Sequence, residues 1–223
     1  MFAKMKWLII SGFIASMILM FIFFIPVFAL AGNGPARFYS EQITGADGGV
    51  GGSSGSGISS GGAIPPDNLQ YHDVNPDELR SFLSAQGSYL VQDVDSFIAN
   101  GRTFNVNPLL LVAITGQEQS FDPAANTDAA QVERNPFNVF YSWMDYSPGF
   151  NKSCEVAART VATKLSYPIP AGEDPIQWLD DPNNPAGSYA SDHNWWVGVK
   201  SWFMTLSSKP NIYLVPLTGG HVK

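Results

Sequence analysis

Cysteine occurs once, at Cys154, and histidine three times, at His72, His193 and His221. One thiol cannot close an internal disulfide, so any folded part depends on its apolar core. The same shortage rules out a closed cysteine–histidine zinc site, and neither a metal nor a cofactor is expected. Charge is scarce as well: only 14% of the 223 residues are charged, and acids exceed bases to leave a net charge of −7. With no basic stripe, a nucleic-acid partner is excluded. Period-two alternation is nearly missing and no internal repeat exists, which excludes large sheets and solenoids.

What is present falls into segments. No charged residue lies between Trp7 and Ala31, and Lys4 and Lys6 precede that run. Its length suits a transmembrane helix with a cytoplasmic N-terminus. Ala29-Leu30-Ala31 before Gly32 also fits a signal-peptidase site, so residues 1–31 are expected to be a signal anchor or a signal peptide. Both readings place the rest of the chain outside the cytoplasm, in the cell envelope if anchored and secreted if cleaved. Between Gly45 and Gly62, fourteen of eighteen positions are Gly or Ser, too little apolar surface to offset the entropy of ordering. Residues 32–70 are therefore expected to be a flexible linker, whose r.m.s. reach as a coil is roughly 35 Å.

From Asn75-Pro76-Asp77-Glu78 onward the pattern becomes helical. Proline at the first helical position and acids in the first turn lead into Leu79, Phe82 and Leu83, predicting a helix near 76–86. A second is predicted near 88–100, with a left-handed cap at Asn100-Gly101. Asn107-Pro108 then opens a continuously apolar run, Leu109 to Ile114, which predicts a helix buried on most sides that ends before Asp122-Pro123. Two more are predicted at Ser153–Leu165 and Trp195–Leu206. The expected fold is mainly α, a single domain over 71–210 with at most a short β element, followed by a tail at 211–223.

Leu111, Ile114 and Glu118 share one face of the central helix, so Glu118 is carried toward the inside. A carboxyl group withdrawn from water has a raised pKa, as a glycosidase acid requires, although one acid beside an apolar run is also an ordinary helix-end residue. The flanking residues add to this. Asn107-Pro108-Leu109-Leu110-Leu111-Val112-Ala113-Ile114 followed by Gln117-Glu118-Gln119-Ser120-Phe121-Asp122-Pro123 resembles the catalytic helix of lysozyme-like peptidoglycan hydrolases, especially lytic transglycosylases. Asn135-Pro136-Phe137-Asn138-Val139 and Tyr189-Ala190-Ser191-Asp192-His193-Asn194-Trp195 are similar to two blocks of bacterial endo-β-N-acetylglucosaminidases, in the same order.

The resemblance, which covers about residues 75–208, implies a lysozyme-like fold and a glycosidase that cleaves peptidoglycan strands beside N-acetylglucosamine. It makes Glu118 the general acid and Tyr189 the tyrosine lining the sugar site. Phe137 and Asn138 would form the cleft wall, and Gln119, Ser120 and Asp192 would join the substrate contacts. The family's second acid sits on a small β-lobe for which there is little room here. Asp145 is the candidate for that carboxylate, with Glu133 behind it. Should neither serve, the sugar's own acetamido group or 6-hydroxyl can complete the reaction, as in lytic transglycosylases that leave anhydromuramic ends. Trp143 and Tyr146, in a predicted loop, are expected to face the ligand. Trp178, Trp195 and Trp196 offer further flat faces, although aromatics at helical spacing more often belong to the core. The rival readings are a cysteine peptidase built on Cys154 and His193, and an inactive glycan-binding scaffold of an envelope or secretion complex.

Overall fold

The computed structural model describes residues 64–215 and residue 217. The expected anchor and the Gly/Ser-rich stretch lie outside the described residues, and within them no helix is long and apolar enough to cross a membrane. The described part is mainly helical: α1 (Pro76–Ala85), α2 (Val94–Phe104), α3 (Pro108–Gln119), α4 (Ala129–Val132), α5 (Phe150–Leu165), α6 (Pro175–Asp180) and α7 (Trp195–Ser207). Among the described residues, β structure is limited to two isolated antiparallel bridges, Val74 with Tyr213 and Ser88 with Pro123.

The start of α1 follows the sequence signal. The Asn75 side chain accepts the Asp77 and Glu78 amides at 3.0 and 3.4 Å, and Pro76 occupies the first turn, so two of the four orphan donors of the helix end are satisfied. The second helix departs from expectation. Tyr89–Asp93 is a 3-10 segment, and α2 runs on through Asn100-Gly101 to a left-handed cap at Asn105, φ 54°. Gly101 is instead a point of close approach. A Cβ there would lie 2.7 Å from the Val106 carbonyl oxygen and 2.9 Å from Pro108 Cγ, so the glycine lets the chain double back from α2 into α3.

Helix α3 is the centre of the molecule. Every residue from Pro108 to Gly116 is buried, and the helix packs chiefly against α7 and α2. A helix apolar on all sides has no solvent stripe, so neighbours must cover its whole circumference. At its start the Asn107 side chain accepts the Leu109 amide at 2.9 Å and donates to Asn68 O at 2.8 Å and to the Tyr213 hydroxyl at 3.1 Å. This one buried residue ties both ends of the described chain to the helix. The packing accordingly reaches beyond 71–210, because Ile64, Leu69 and Ile212 are all in the core.

On the far side, α5 presents Ser153, Cys154, Ala157, Ala158 and Val161 to its neighbours, small side chains that permit close approach to α2. It begins three residues before the predicted Ser153, after Gly149 at φ 96°. The six-residue α6 is held at its start by Asp174, whose side chain accepts the Ile176 amide at 2.9 Å and pairs with Lys200 of α7 at 2.9 Å. Neither α4 nor α6 has a run long enough to show helical periodicity, so neither is visible in the sequence pattern.

Candidate functional site

Glu118 lies in the last turn of α3, at the edge of the buried stretch. The helix ends there in a Schellman-type turn, with Ser120 N–H donating to Gly116 O at 3.1 Å and Phe121 N–H to Thr115 O at 3.2 Å. Ser120, Phe121 and Asp122 all have positive φ, at 51°, 65° and 53°. That conformation is costly for L-residues, most of all for a bulky one. Burial of the Phe121 ring holds it: the ring lies against Phe82 and Trp202, with centroids at 5.3 and 4.6 Å, and over Gly116, where no Cβ would fit.

Two side chains grip the Glu118 carboxylate. Asn138 Nδ2 donates to Oε2 at 3.0 Å and Trp195 Nε1 donates to Oε1 at 2.7 Å. Burial pushes the Glu118 pKa up; the two N–H donors pull it down, and the negative charge of Asp180 adds to the rise. The net result is a raised pKa on an oriented carboxyl group. Asn138 reaches Glu118 from a left-handed position, φ 49°, which asparagine tolerates better than most residues. Its loop is fixed by the fully buried Asn135, which exchanges hydrogen bonds with Val139 N and O and donates to Tyr146 O at 2.8 Å.

Tyr189 stacks on Trp195, with ring centroids 4.4 Å apart and planes 17° from parallel. Its hydroxyl is buried without a hydrogen-bond partner among the described residues, and burial together with the nearby Glu118 charge pushes its pKa upward. The first and third sequence blocks therefore meet, through the indole of Trp195. That tryptophan is both core, at 3% exposure, and site. Its donor role is not evident from sequence, where the residue reads as core packing or as a flat face for a sugar.

Other expected site residues lie elsewhere. Phe137 is not cleft wall: it is buried against Phe97 and Phe150. Trp178 is likewise buried. Asp145 is exposed and accepts the Ser142 hydroxyl at 2.8 Å; the acid whose charge reaches Glu118 is Asp180. Glu133 belongs to a separate group with Asp93 and Asp122, in which burial and mutual repulsion push Asp93 and Asp122 up to about 7. Gln119 contributes its backbone carbonyl to the Asp122 amide at 2.8 Å, and Ser120 is exposed beside it. Asp192 is exposed and accepts the Asn194 amide at 3.0 Å just before α7.

Trp143 and Tyr146 are half-buried in the loop that carries Asn138. The exposed large apolar side chains of that loop are ones the sequence does not single out: Phe140, Tyr141 and Met144, at 63%, 84% and 69% exposure. Phe140 and Tyr141 also have positive φ, 53° and 83°, and Phe140 meets Tyr146 edge-on at 5.4 Å. Cys154 is fully buried and its thiol is pushed well above the usual range, the opposite of an activated nucleophile. Among the described residues no group of three His, Cys, Asp or Glu is placed to hold a metal ion. The chain matches no family model, no curated protein and no solved structure.

Proposed function

We propose that residues 71–210 form a lysozyme-like peptidoglycan glycosidase in which Glu118 is the general acid. The observation that carries this reading is the Glu118 carboxyl itself, withdrawn from water at the end of a buried helix and oriented by Trp195 and Asn138. A group in that setting keeps its proton to higher pH and can hand it to a departing glycosidic oxygen. The same two donors then stabilise the carboxylate that remains. Tyr189 lies beside the acid, and the exposed Phe140 and Tyr141 supply flat apolar faces of the kind on which pyranose rings stack. The domain works outside the cytoplasm, held to the membrane by residues 1–31 or released by their cleavage, on peptidoglycan strands or within an envelope complex.

For the second half of the reaction, a hydrolase supplies another carboxyl group about 5–9 Å from the acid. Asp145 is exposed and engaged with Ser142, and Asp180 is buried with one oxygen on a backbone amide. Without such a carboxyl group, the sugar's acetamido group or 6-hydroxyl takes the second role. Incubating the full chain with purified sacculi is expected to release muropeptides, and Glu118→Gln to lower that release at least 100-fold. Mass spectrometry of the new ends then separates the chemistries: reducing N-acetylglucosamine marks hydrolysis on that side, and anhydromuramic ends mark transglycosylation. Equal binding of sacculi by both proteins with cleavage by neither would leave the inactive scaffold as the answer.

A further inference from the structure

The acid site is completed by a loop, residues 181–194, that has no regular structure apart from turns, yet delivers Tyr189 and Trp195 to Glu118. Buried polar groups hold it at three points. Lys164 of α5, 2% exposed, donates to the carbonyls of Gly187 and Ala186. Asn184, also buried, donates to Trp178 O at 3.0 Å and Lys164 O at 3.3 Å and accepts the Ala186 amide at 3.0 Å. The third point is nearest the acid. Asp180, the last residue of α6, is 3% exposed and accepts the Ala190 amide at 2.8 Å, directly after Tyr189. Its other oxygen, Oδ2, is buried without a partner among the described residues.

Burying the Asp180 carboxyl is costly, and among the described residues the hydrogen bond it accepts in return is from Ala190. The start of α6 is already anchored by the Asp174–Lys200 pair, so the helix does not need Asp180 to stay in place. What Asp180 adds is a fixed Ala190 amide, and through it the placement of the adjoining tyrosine.

We propose that Asp180 is a positioning residue of the acid site: by holding Ala190 it seats the Tyr189 ring on Trp195, and so keeps the indole N–H on the Glu118 carboxylate. The inference rests on Glu118 being the working acid only for its effect on turnover, because the geometry can be followed without turnover. The charged groups facing Asp180 are Lys164 on α5, Asp192 and His193 in the loop, and Glu118 on α3. Burial is the largest influence and raises the Asp180 pKa; the Ala190 amide, His193 and Lys164 favour its ionised form and Asp192 opposes it. The charge of Asp180 in turn opposes ionisation of Glu118.

The test uses the full chain labelled with ¹⁵N-tryptophan, in which the Trp195 indole proton is identified by its loss in Trp195→Phe. In the wild type this resonance follows the titration of Glu118, and in Glu118→Gln it does not titrate. Asp180→Asn retains an acceptor for Ala190 and removes the charge; the resonance is expected to keep titrating. Asp180→Ala removes both; the resonance is expected to move toward that of a free indole and stop following pH, and kcat to fall at least tenfold with KM within threefold. A wild-type titration in Asp180→Ala, or its loss in Asp180→Asn, overturns the proposal. Should Asp180→Ala fail to fold, Asp180→Leu, which also lacks an acceptor but fills the space, is read in the same way. If the wild type cleaves no glycan, the glycosidase reading fails while the resonance still decides the role of Asp180.

Discussion

Replacing Trp195 with phenylalanine probes the donor on the acid, because a flat ring remains for Tyr189 to stack on while the N–H to Glu118 Oε1 is lost. The smaller ring removes some buried contact at a 3% exposed position, costing about 1 kcal/mol at every pH. The lost hydrogen bond behaves differently. To an ionised carboxylate it contributes about 1.5–3 kcal/mol, but to a neutral carboxyl only about 0.5–1.5 kcal/mol. The donor therefore stabilises the fold more above the Glu118 pKa than below it, and Trp195→Phe should destabilise by about 1–1.5 kcal/mol more at pH 8 than at pH 4. For a domain of roughly 150 residues, where 1 kcal/mol shifts Tm by about 2–4 °C, that is an extra fall of about 2–6 °C. Thermal unfolding of wild type and variant at both pH values reads it directly, and contributions common to the two proteins cancel. A Tm difference that is the same at pH 4 and pH 8 would refute the claim that the indole acts on the charged form of Glu118.

Asp122 is fully buried with both carboxylate oxygens unpartnered among the described residues, and burial beside Glu133 pushes it up to about 7. Its folded pKa lies above the unfolded value, so the folded state keeps a proton that the unfolded chain releases, and stability falls as pH rises from about 4 through 7. Asp122→Asn should accordingly stabilise by about 1–3 kcal/mol at pH 8 and by little near pH 4, as urea midpoints would report; an equal effect at both pH values would count against it. Gly116→Ala places a Cβ where the Phe121 ring lies and should destabilise by about 1–3 kcal/mol, seen as a lower urea midpoint; a neutral result would mean that the ring is free to move. Tyr141→Ala, at an 84% exposed position, should leave Tm within about 2 °C, since exposed substitutions rarely exceed about 0.5 kcal/mol. In a Glu118→Gln background the same change should weaken sacculus binding severalfold in a pelleting assay, and unchanged binding would remove Tyr141 from the substrate surface.

The parts of the fold legible in the sequence are those with a local physical signal. Asn75 and Pro76 announce α1, and Asn107-Pro108 with the apolar run Leu109–Ile114 announces α3. Glu118 is legible because it closes that apolar run, ahead of the Ser-Phe-Asp-Pro exit. Signals with two meanings mislead. Asn100-Gly101 has the composition of a helix cap, but Gly101 meets the Val106 carbonyl, a contact made five residues later by a chain that has already turned. Phe137 stands beside a site asparagine, yet alternate residues of a tight loop can serve opposite faces, and its ring joins Phe97 and Phe150. Asp180 lies in an unremarkable Leu-Asp-Asp-Pro stretch, and nothing local separates a buried acid from an exposed one. Only the return of the chain at Ala190 gives it a partner. Trp195 is hidden for the opposite reason, since its packing role is obvious and conceals the N–H.

The burial of Pro108–Gly116 on every side bears on how such a protein can diversify. A stretch of helix with no free face has no position where a substitution is cheap, because each one meets packed neighbours and changes a volume already filled. The acid it carries is thus a fixed reference point, inherited nearly unaltered by any variant that still folds. Variation must collect in the two irregular segments that converge on it, around Asn138 and Tyr189, where solvent-facing positions can change at little thermodynamic expense. A library meant to alter what binds beside Glu118 should therefore hold 108–118 constant and randomise the exposed positions 140, 141 and 144.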